Sequence, residues 1–357
     1  MELGFIGFKY SGKSTLFELL TQNHFETIRS GMAESRRGRV TVPDNRVDHL
    51  SEIFKPKKTT FASFDCIDIM GIPTGSRRDT SSKYLEAVRQ VDGLVAVIRI
   101  FEGFGDDGKP VILNPVADIQ HLEDEIQFAD LMVIESRLEK VEHMKQRGAP
   151  QYDKAEHDVL SLCKACLDDG KAIRTLELSE DDEKRIRGFR FLSIKPLLAV
   201  LNCNEENYLK REEHIESVKT VYPNMAVTAV SALSEKEIQE LDEEERAMFM
   251  AESGIEEPAI NHVIRAAYEG LGLLSFFTVG EDEVRAWTLH AGEKAPDAAG
   301  TIHSDLEKGF IRAEVIQYEQ FIQTGSLAKA KANGQVRLEG KEYKVQDGDI
   351  LNIRFNV

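Results

Sequence analysis

The chain has 357 residues, 45 of them basic and 62 acidic, for a net charge of −17 at pH 7. That length accommodates two or three domains with cores of their own. The acidic balance disfavours indiscriminate adsorption to nucleic acid or to an anionic membrane, so any RNA contact has to be local. Four scattered cysteines, Cys66, Cys163, Cys166 and Cys203, make no disulfide framework. No run is apolar for the length of a membrane span, and the N-terminus enters a strand without a leader-like segment. A cytoplasmic, reduced protein is expected, with no membrane partner.

In chain order, Leu3, Phe5 and Ile6 form an apolar strand that ends in Gly7-Phe8-Lys9-Tyr10-Ser11-Gly12-Lys13-Ser14, and Thr15 to Leu20 continues as an amphipathic helix. The spacing G-x-x-x-x-G-K-S between strand and helix predicts a phosphate-binding loop. Its glycines let backbone N–H groups form a nest around a polyphosphate, and the helix adds its positive end. Residues Gly7 to Thr15 are therefore the predicted nucleotide cradle. Lys13 is assigned to the β- and γ-phosphates as the catalytic residue, and the Ser14 hydroxyl to Mg²⁺.

Short β-rich runs follow at 39–42, 64–69, 94–100, 197–201 and 225–230, with helical segments at 84–91 and 212–221 among them. This alternation predicts an α/β fold with a mostly parallel sheet. From Asp118 to Gly188 it gives way to apolar residues at helical spacing, Leu122, Ile126, Ala129, Met132, Ile134, Leu138 and Val141, which predict an inserted helical hairpin turning near Gly148-Ala149-Pro150. Cys163 and Cys166 fall on its second helix, where packing explains them better than metal chemistry. Beyond Leu271, strands at 276–280, 284–289, 336–338, 343–345 and 350–355 around a helical 304–318 predict a small α+β domain. The expected domains are residues 1–118 with 189–271, the insertion 119–188, and 272–357.

Three later motifs address the class of nucleotide site. Asp68-Ile69-Met70-Gly71 ends a strand as D-x-x-G, so that Asp68 can hold Mg²⁺ directly or through water and the Gly71 N–H can meet a γ-phosphate. Asn202-Cys203-Asn204-Glu205 stands where a GTPase of this topology carries N-x-x-D. Glu205 is one methylene longer than Asp, which disfavours guanine and favours adenine. Ser231-Ala232 matches the segment that touches the base from its other side. Basic clusters at 36–39, 55–58 and 77–78 flank these segments, either as solvated loops or as charge near the phosphates.

These residues, with Val42-Pro43-Asp44-Asn45-Arg46, Asn114-Pro115-Val116-Ala117-Asp118 and, in the last eighty residues or so, Phe277-Thr278-Val279-Gly280, Lys308-Gly309-Phe310-Ile311-Arg312 and Gln346-Asp347-Gly348-Asp349, resemble the YchF subfamily of Obg-related P-loop NTPases, the Obg-like ATPases. The resemblance spans nearly the whole chain. It implies a G domain with a helical arm and a C-terminal β-grasp (TGS) domain, Mg²⁺-dependent ATP binding in preference to GTP, slow hydrolysis, and association with ribosomes or RNA. A monomer is expected. Ile72 stands where a water-positioning Gln would be. The chain departs from the family pattern at Tyr10, where Asn is usual, and between Phe25 and Val42, where no metal-sensing threonine is assignable. An arginine from the pairs Arg36-Arg37 or Arg77-Arg78 could then supply charge at the phosphates, solvated switch loops being the alternative. A nucleotide-sensing module with negligible turnover, a GTPase, and a small-molecule kinase remain alternative functions.

Overall fold

The computed structural model describes residues 2–30, 33–68, 88–105, 108–252 and 257–356. It divides into two compact units, residues 1–39 with 65–263, and residues 40–64 with 264–357. In chain order the strands are β1 Glu2–Ile6, β2 Phe25–Ser30, β3 Ala33–Thr41, β4 Lys58–Thr60, β5 Ser63–Asp68, β6 Gly93–Ile100, β7 Leu197–Cys203, β8 Ala226–Val230, β9 Leu273–Thr278, β10 Glu283–His290, β11 Phe310–Gln317, β12 Arg337–Glu339 and β13 Asp349–Phe355. The helices that matter below are α1 Lys13–Leu20, α2 Asn45–Phe54, α3 Pro115–Gln146, α4 Lys154–Asp168, α5 Glu205–Leu209 and α6 Ala232–Glu240.

The first unit is built on a seven-stranded sheet of order β2-β3-β5-β1-β6-β7-β8. β1 pairs in parallel with β5 and β6, β6 with β7, and β7 with β8. β6 and β7 are buried along their whole length, as their unbroken apolar sequences require of strands covered on both faces. The expected parallel α/β fold is thus present. Where the sequence suggested a strand only over 39–42, β3 begins at Ala33 and pairs antiparallel with β2, in a register that sets Thr27 opposite Arg36. Of the helix expected over 84–91, residues 84–87 lie outside the described residues, and 88–90 are helical.

The helical insertion is a hairpin of α3 and α4. Asn114 caps α3 by accepting the Ala117 N–H at 3.1 Å, with Pro115 in the first turn. Asp153 caps α4 through the Ala155 and Glu156 N–H groups at 2.9 and 3.3 Å. Ile134 and Leu138 meet Val159, Leu160, Cys163 and Leu167 in one apolar cluster. Arg137 grips Glu156 with two hydrogen bonds of 2.8 and 2.9 Å. Cys163 therefore does the work of a core residue, and among the described residues no cluster of three or more His, Cys, Asp and Glu suits a metal ion.

The second unit carries a six-stranded sheet of order β12-β11-β13-β9-β10-β4. Three sequence expectations change here. Residues 40–64, counted with the nucleotide-binding domain, belong to this unit: β4 pairs in parallel with β10, Phe54 stacks on Phe321 at 5.5 Å, and His49 Nδ1 meets the Tyr318 hydroxyl at 2.8 Å. Arg46 completes the attachment by bridging Asp44 and Asp347 at 2.8 and 2.6 Å with its guanidinium over the Phe277 ring. The helix expected over 304–318 stops at Lys308, and 310–317 is strand β11, hydrogen-bonded on both sides by β12 and β13. Pairing along both edges and burial of Ala313, Val315 and Ile316 override the helical propensity of its Ala, Glu and Gln residues. Residues 343–345 make a single bridge, Lys344 to Lys294, in place of a strand.

Candidate functional site

The loop between β1 and α1 folds as its glycines dictate. Gly7, at φ +145°, sits so close beneath the Val97 carbonyl that a Cβ would stand 2.5 Å from that oxygen. Gly12, at φ +87°, is the N-cap of α1, and the first-turn N–H groups behind it have no acceptor within the helix. Tyr10 takes the left-handed conformation at φ +63°; its ring is more than half exposed, with the Lys9 ammonium 5.0 Å from its centroid. Phe8 turns away to pack edge-on against His121. The Ser11 hydroxyl is buried and has no hydrogen-bond partner among the described residues.

Lys13 is almost wholly buried and folds back over the loop, donating to the Gly7 and Phe8 carbonyls at 2.9 Å each. Desolvation lowers its pKa to about 8, against the opposing pull of Asp68. Ser14, exposed on the first turn of α1, donates its hydroxyl to Asp68 Oδ2 at 3.0 Å. Two oxygen donors, a hydroxyl and a carboxylate, converge there from different elements. Such a pair fits a hard cation that takes its remaining ligands from phosphates and water, as Mg²⁺ does.

Asn202 ties the site together from behind. At the end of β7 its Nδ2 donates to the Ser11 carbonyl at 2.9 Å, and its Oδ1 accepts the Ala232 N–H at 3.1 Å. One buried amide thus links the phosphate loop to the Ser231-Ala232 segment. Cys203, the next residue along the strand, points to the opposite face by strand alternation. Its thiol packs in the core and is pushed up to about 12 by burial, against the pull of Arg211. Its side chain is therefore not among the groups lining the loop. Glu205 opens α5, exposed, with Oε1 3.5 Å from the Ser234 hydroxyl. Ser231 caps α6, and Thr15 lies half-buried on α1. Gly71, Ile72, Arg77 and Arg78 lie outside the described residues.

The pair Arg36-Arg37 is resolved by strand alternation. Arg37 pairs with Asp65 at 3.0 Å and with Glu2. Arg36 faces the loop: Nε and Nη2 both donate to Asp68 Oδ2, at 3.2 and 2.5 Å, and Nη1 donates to Glu18 at 2.6 Å. Its guanidinium lies over the Phe17 and Phe25 rings, 5.2 and 4.9 Å from their centroids. Sequence reasoning missed Glu18. The available signal was its position four residues after Ser14, on the same face of α1. In the second basic cluster, Lys57 and Lys58 pair with Asp282 and Glu283.

Residues 273–356 match a family described as YchF-GTPase_C, "Protein of unknown function (DUF933)". Over 368 aligned residues the chain is 39% identical to the Ribosome-binding ATPase YchF of Bacillus subtilis (strain 168), with 99% of each chain covered. It is 34% identical to Obg-like ATPase 1 of Gallus gallus, covering 100% of this chain and 92% of that one. The structure of the Schizosaccharomyces pombe YchF GTPase superposes with a TM-score of 0.82 at 28% identity, over 99% of this chain and 97% of that one. Parallel sheet, strand-loop-helix cradle and helical insertion together define a P-loop NTPase with a G-domain fold. Within that class the chain belongs to the YchF, or Obg-like ATPase, family, as its motifs suggested. Among the described residues no helix is long and apolar enough to cross a membrane.

Proposed function

We propose that this protein binds Mg²⁺-ATP in the cradle of Gly7 to Thr15 and hydrolyses it slowly as a switch that reports to the ribosome. The supporting observation is the buried Lys13 ammonium, folded onto the Gly7 and Phe8 carbonyls beside the Ser14–Asp68 oxygen pair. A polyphosphate entering the loop replaces those carbonyls as the acceptor for Lys13, and the N–H groups of the α1 first turn complete its binding. Ser14 and Asp68 would hold the magnesium ion, which when bound neutralises charge on the β- and γ-phosphates.

Asn202 holds the loop against the Ser231-Ala232 wall, leaving Glu205 at the start of α5 and the backbone around Cys203 to meet the base. The longer acid favours adenine over guanine. Gly71 would meet the γ-phosphate. Relatives named as ribosome-binding ATPases support a ribosomal partner, which would place the protein in the cytoplasm; a monomer and a TGS-type C-terminal domain belong to the same proposed reading. Calorimetric titration of non-hydrolysable ATP and GTP analogues in magnesium buffer tests the site and its base preference. Phosphate release with and without ribosomes, against a Lys13→Ala control, tests turnover. Absence of heat with both analogues would refute the reading.

A further inference from the structure

All three guanidinium nitrogens of Arg36 are engaged beside the proposed metal site. Its Nε and Nη2 converge on Asp68 Oδ2, the same carboxylate oxygen that accepts the Ser14 hydroxyl. Glu18 holds Nη1, and two aromatic faces, Phe17 and Phe25, fix the guanidinium plane. The pair is largely shielded, with side-chain exposures of 21% for Arg36 and 9% for Asp68, so the attraction is only weakly screened. A divalent ion that takes Asp68 Oδ2, directly or through one of its waters, needs the lone pairs that the guanidinium occupies.

We propose that Arg36 is a resident cation of the nucleotide-free site, which competes with the divalent ion for the Ser14–Asp68 pair and sets how much magnesium nucleotide binding requires. The ion and the guanidinium carry like charge and seek the same oxygen, so loading the site displaces Arg36 from Asp68. Glu18, one helical turn beyond Ser14, holds the guanidinium from the other side and keeps it within reach of Asp68. This inference rests on the nucleotide site proposed above.

The test is the magnesium dependence of binding of a fluorescent methylanthraniloyl-ATP by the full-length protein. Arg36→Ala and Arg36→Gln should lower the half-saturating magnesium concentration by about tenfold, the scale of one charge-assisted hydrogen-bonded pair. Arg36→Lys, which keeps the charge but not the fork, should fall between them and the parent. Glu18→Gln leaves Lys13, Ser14 and Asp68 in place and should shift the dependence in the same direction by less. A second readout needs no nucleotide: magnesium chloride alone should raise the melting temperature of Arg36→Gln more than that of the parent. An unchanged or raised magnesium requirement in the Arg36 variants overturns this inference alone. Absence of binding by the parent at every magnesium concentration overturns the nucleotide site and the inference with it.

Discussion

Asn202 and Gly12 form a buried unit whose energetics can be worked through. In Asn202→Ala the Ser11 carbonyl and the Ala232 N–H both lose their partner, at about 1–3 kcal/mol each when left buried, or about 3 kcal/mol together. In Gly12→Ala a left-handed φ of +87° is imposed on a residue with a Cβ, costing about 1–2 kcal/mol. The new methyl also lands on the Asn202 amide nitrogen and drives that side chain off both partners, so the total is about 4 kcal/mol. In the double variant the amide is gone and only backbone strain adds. Its loss should be about 4 kcal/mol, the same as Gly12→Ala alone, not the roughly 7 kcal/mol of simple addition, a coupling of about 3 kcal/mol. Urea unfolding of the nucleotide-free full-length chain, followed by far-UV circular dichroism, measures all four corners of the cycle. Losses that add to within about 0.5 kcal/mol would refute the coupling, and with it the reading of Asn202 as the strut behind the loop.

Three other substitutions test separate features. The Lys13 pKa is lowered to about 8 from an unfolded value of 10.5, so below pH 8 both states carry the proton and folding bears the cost of a buried charge, while above 10.5 neither does. Stability should therefore rise by about 3 kcal/mol as pH climbs from 8 to 10.5; comparing urea midpoints across that window, Lys13→Met should lack this rise. Glu205→Asp restores the shorter acid of a guanine site, and competition titration should show the GTP-to-ATP affinity ratio rising about tenfold or more; an unchanged ratio removes Glu205 from base selection. Asp130 is fully buried and accepts Arg89 at 2.9 Å, the Ser193 N–H at 2.7 Å and the Ser193 hydroxyl at 2.8 Å. Asp130→Ala strands the guanidinium and should cost about 3–5 kcal/mol in urea unfolding, a loss under about 1 kcal/mol contradicting the assignment.

What could be read from the residues alone is what local pattern encodes. Glycine spacing between an apolar strand and an amphipathic helix places Lys13 and Ser14 without any tertiary information, and helical periodicity with a Gly-Ala-Pro turn places the α3–α4 hairpin. Arg36 was visible only as one of several arginines flanking the site. Its meeting with Asp68 depends on the β2–β3 hairpin, whose pairing sets which side of the strand faces the loop. Phe310 to Gln317 read as helix because Ala, Glu and Gln favour one in isolation, whereas its two strand neighbours lie later in the chain. Asn202 was legible as a base-site motif residue but not as a strut, since Ser11 stands 191 positions away from it.

The swap of residues 40–64 into the C-terminal unit has a consequence for the order of events during synthesis. Lys57 and its partner Asp282 are 225 residues apart in the chain, so at bacterial or eukaryotic elongation rates the earlier segment waits roughly 10–45 s for its sheet to be translated. Throughout that interval strand β10, against which α2 packs, has not been made, so Val47 and Leu50, the buried residues of α2, lack that cover. A nascent chain stalled before residue 264 would hold this apolar helix face open to solvent and to chaperones, making full-length translation itself the condition for closing the second unit.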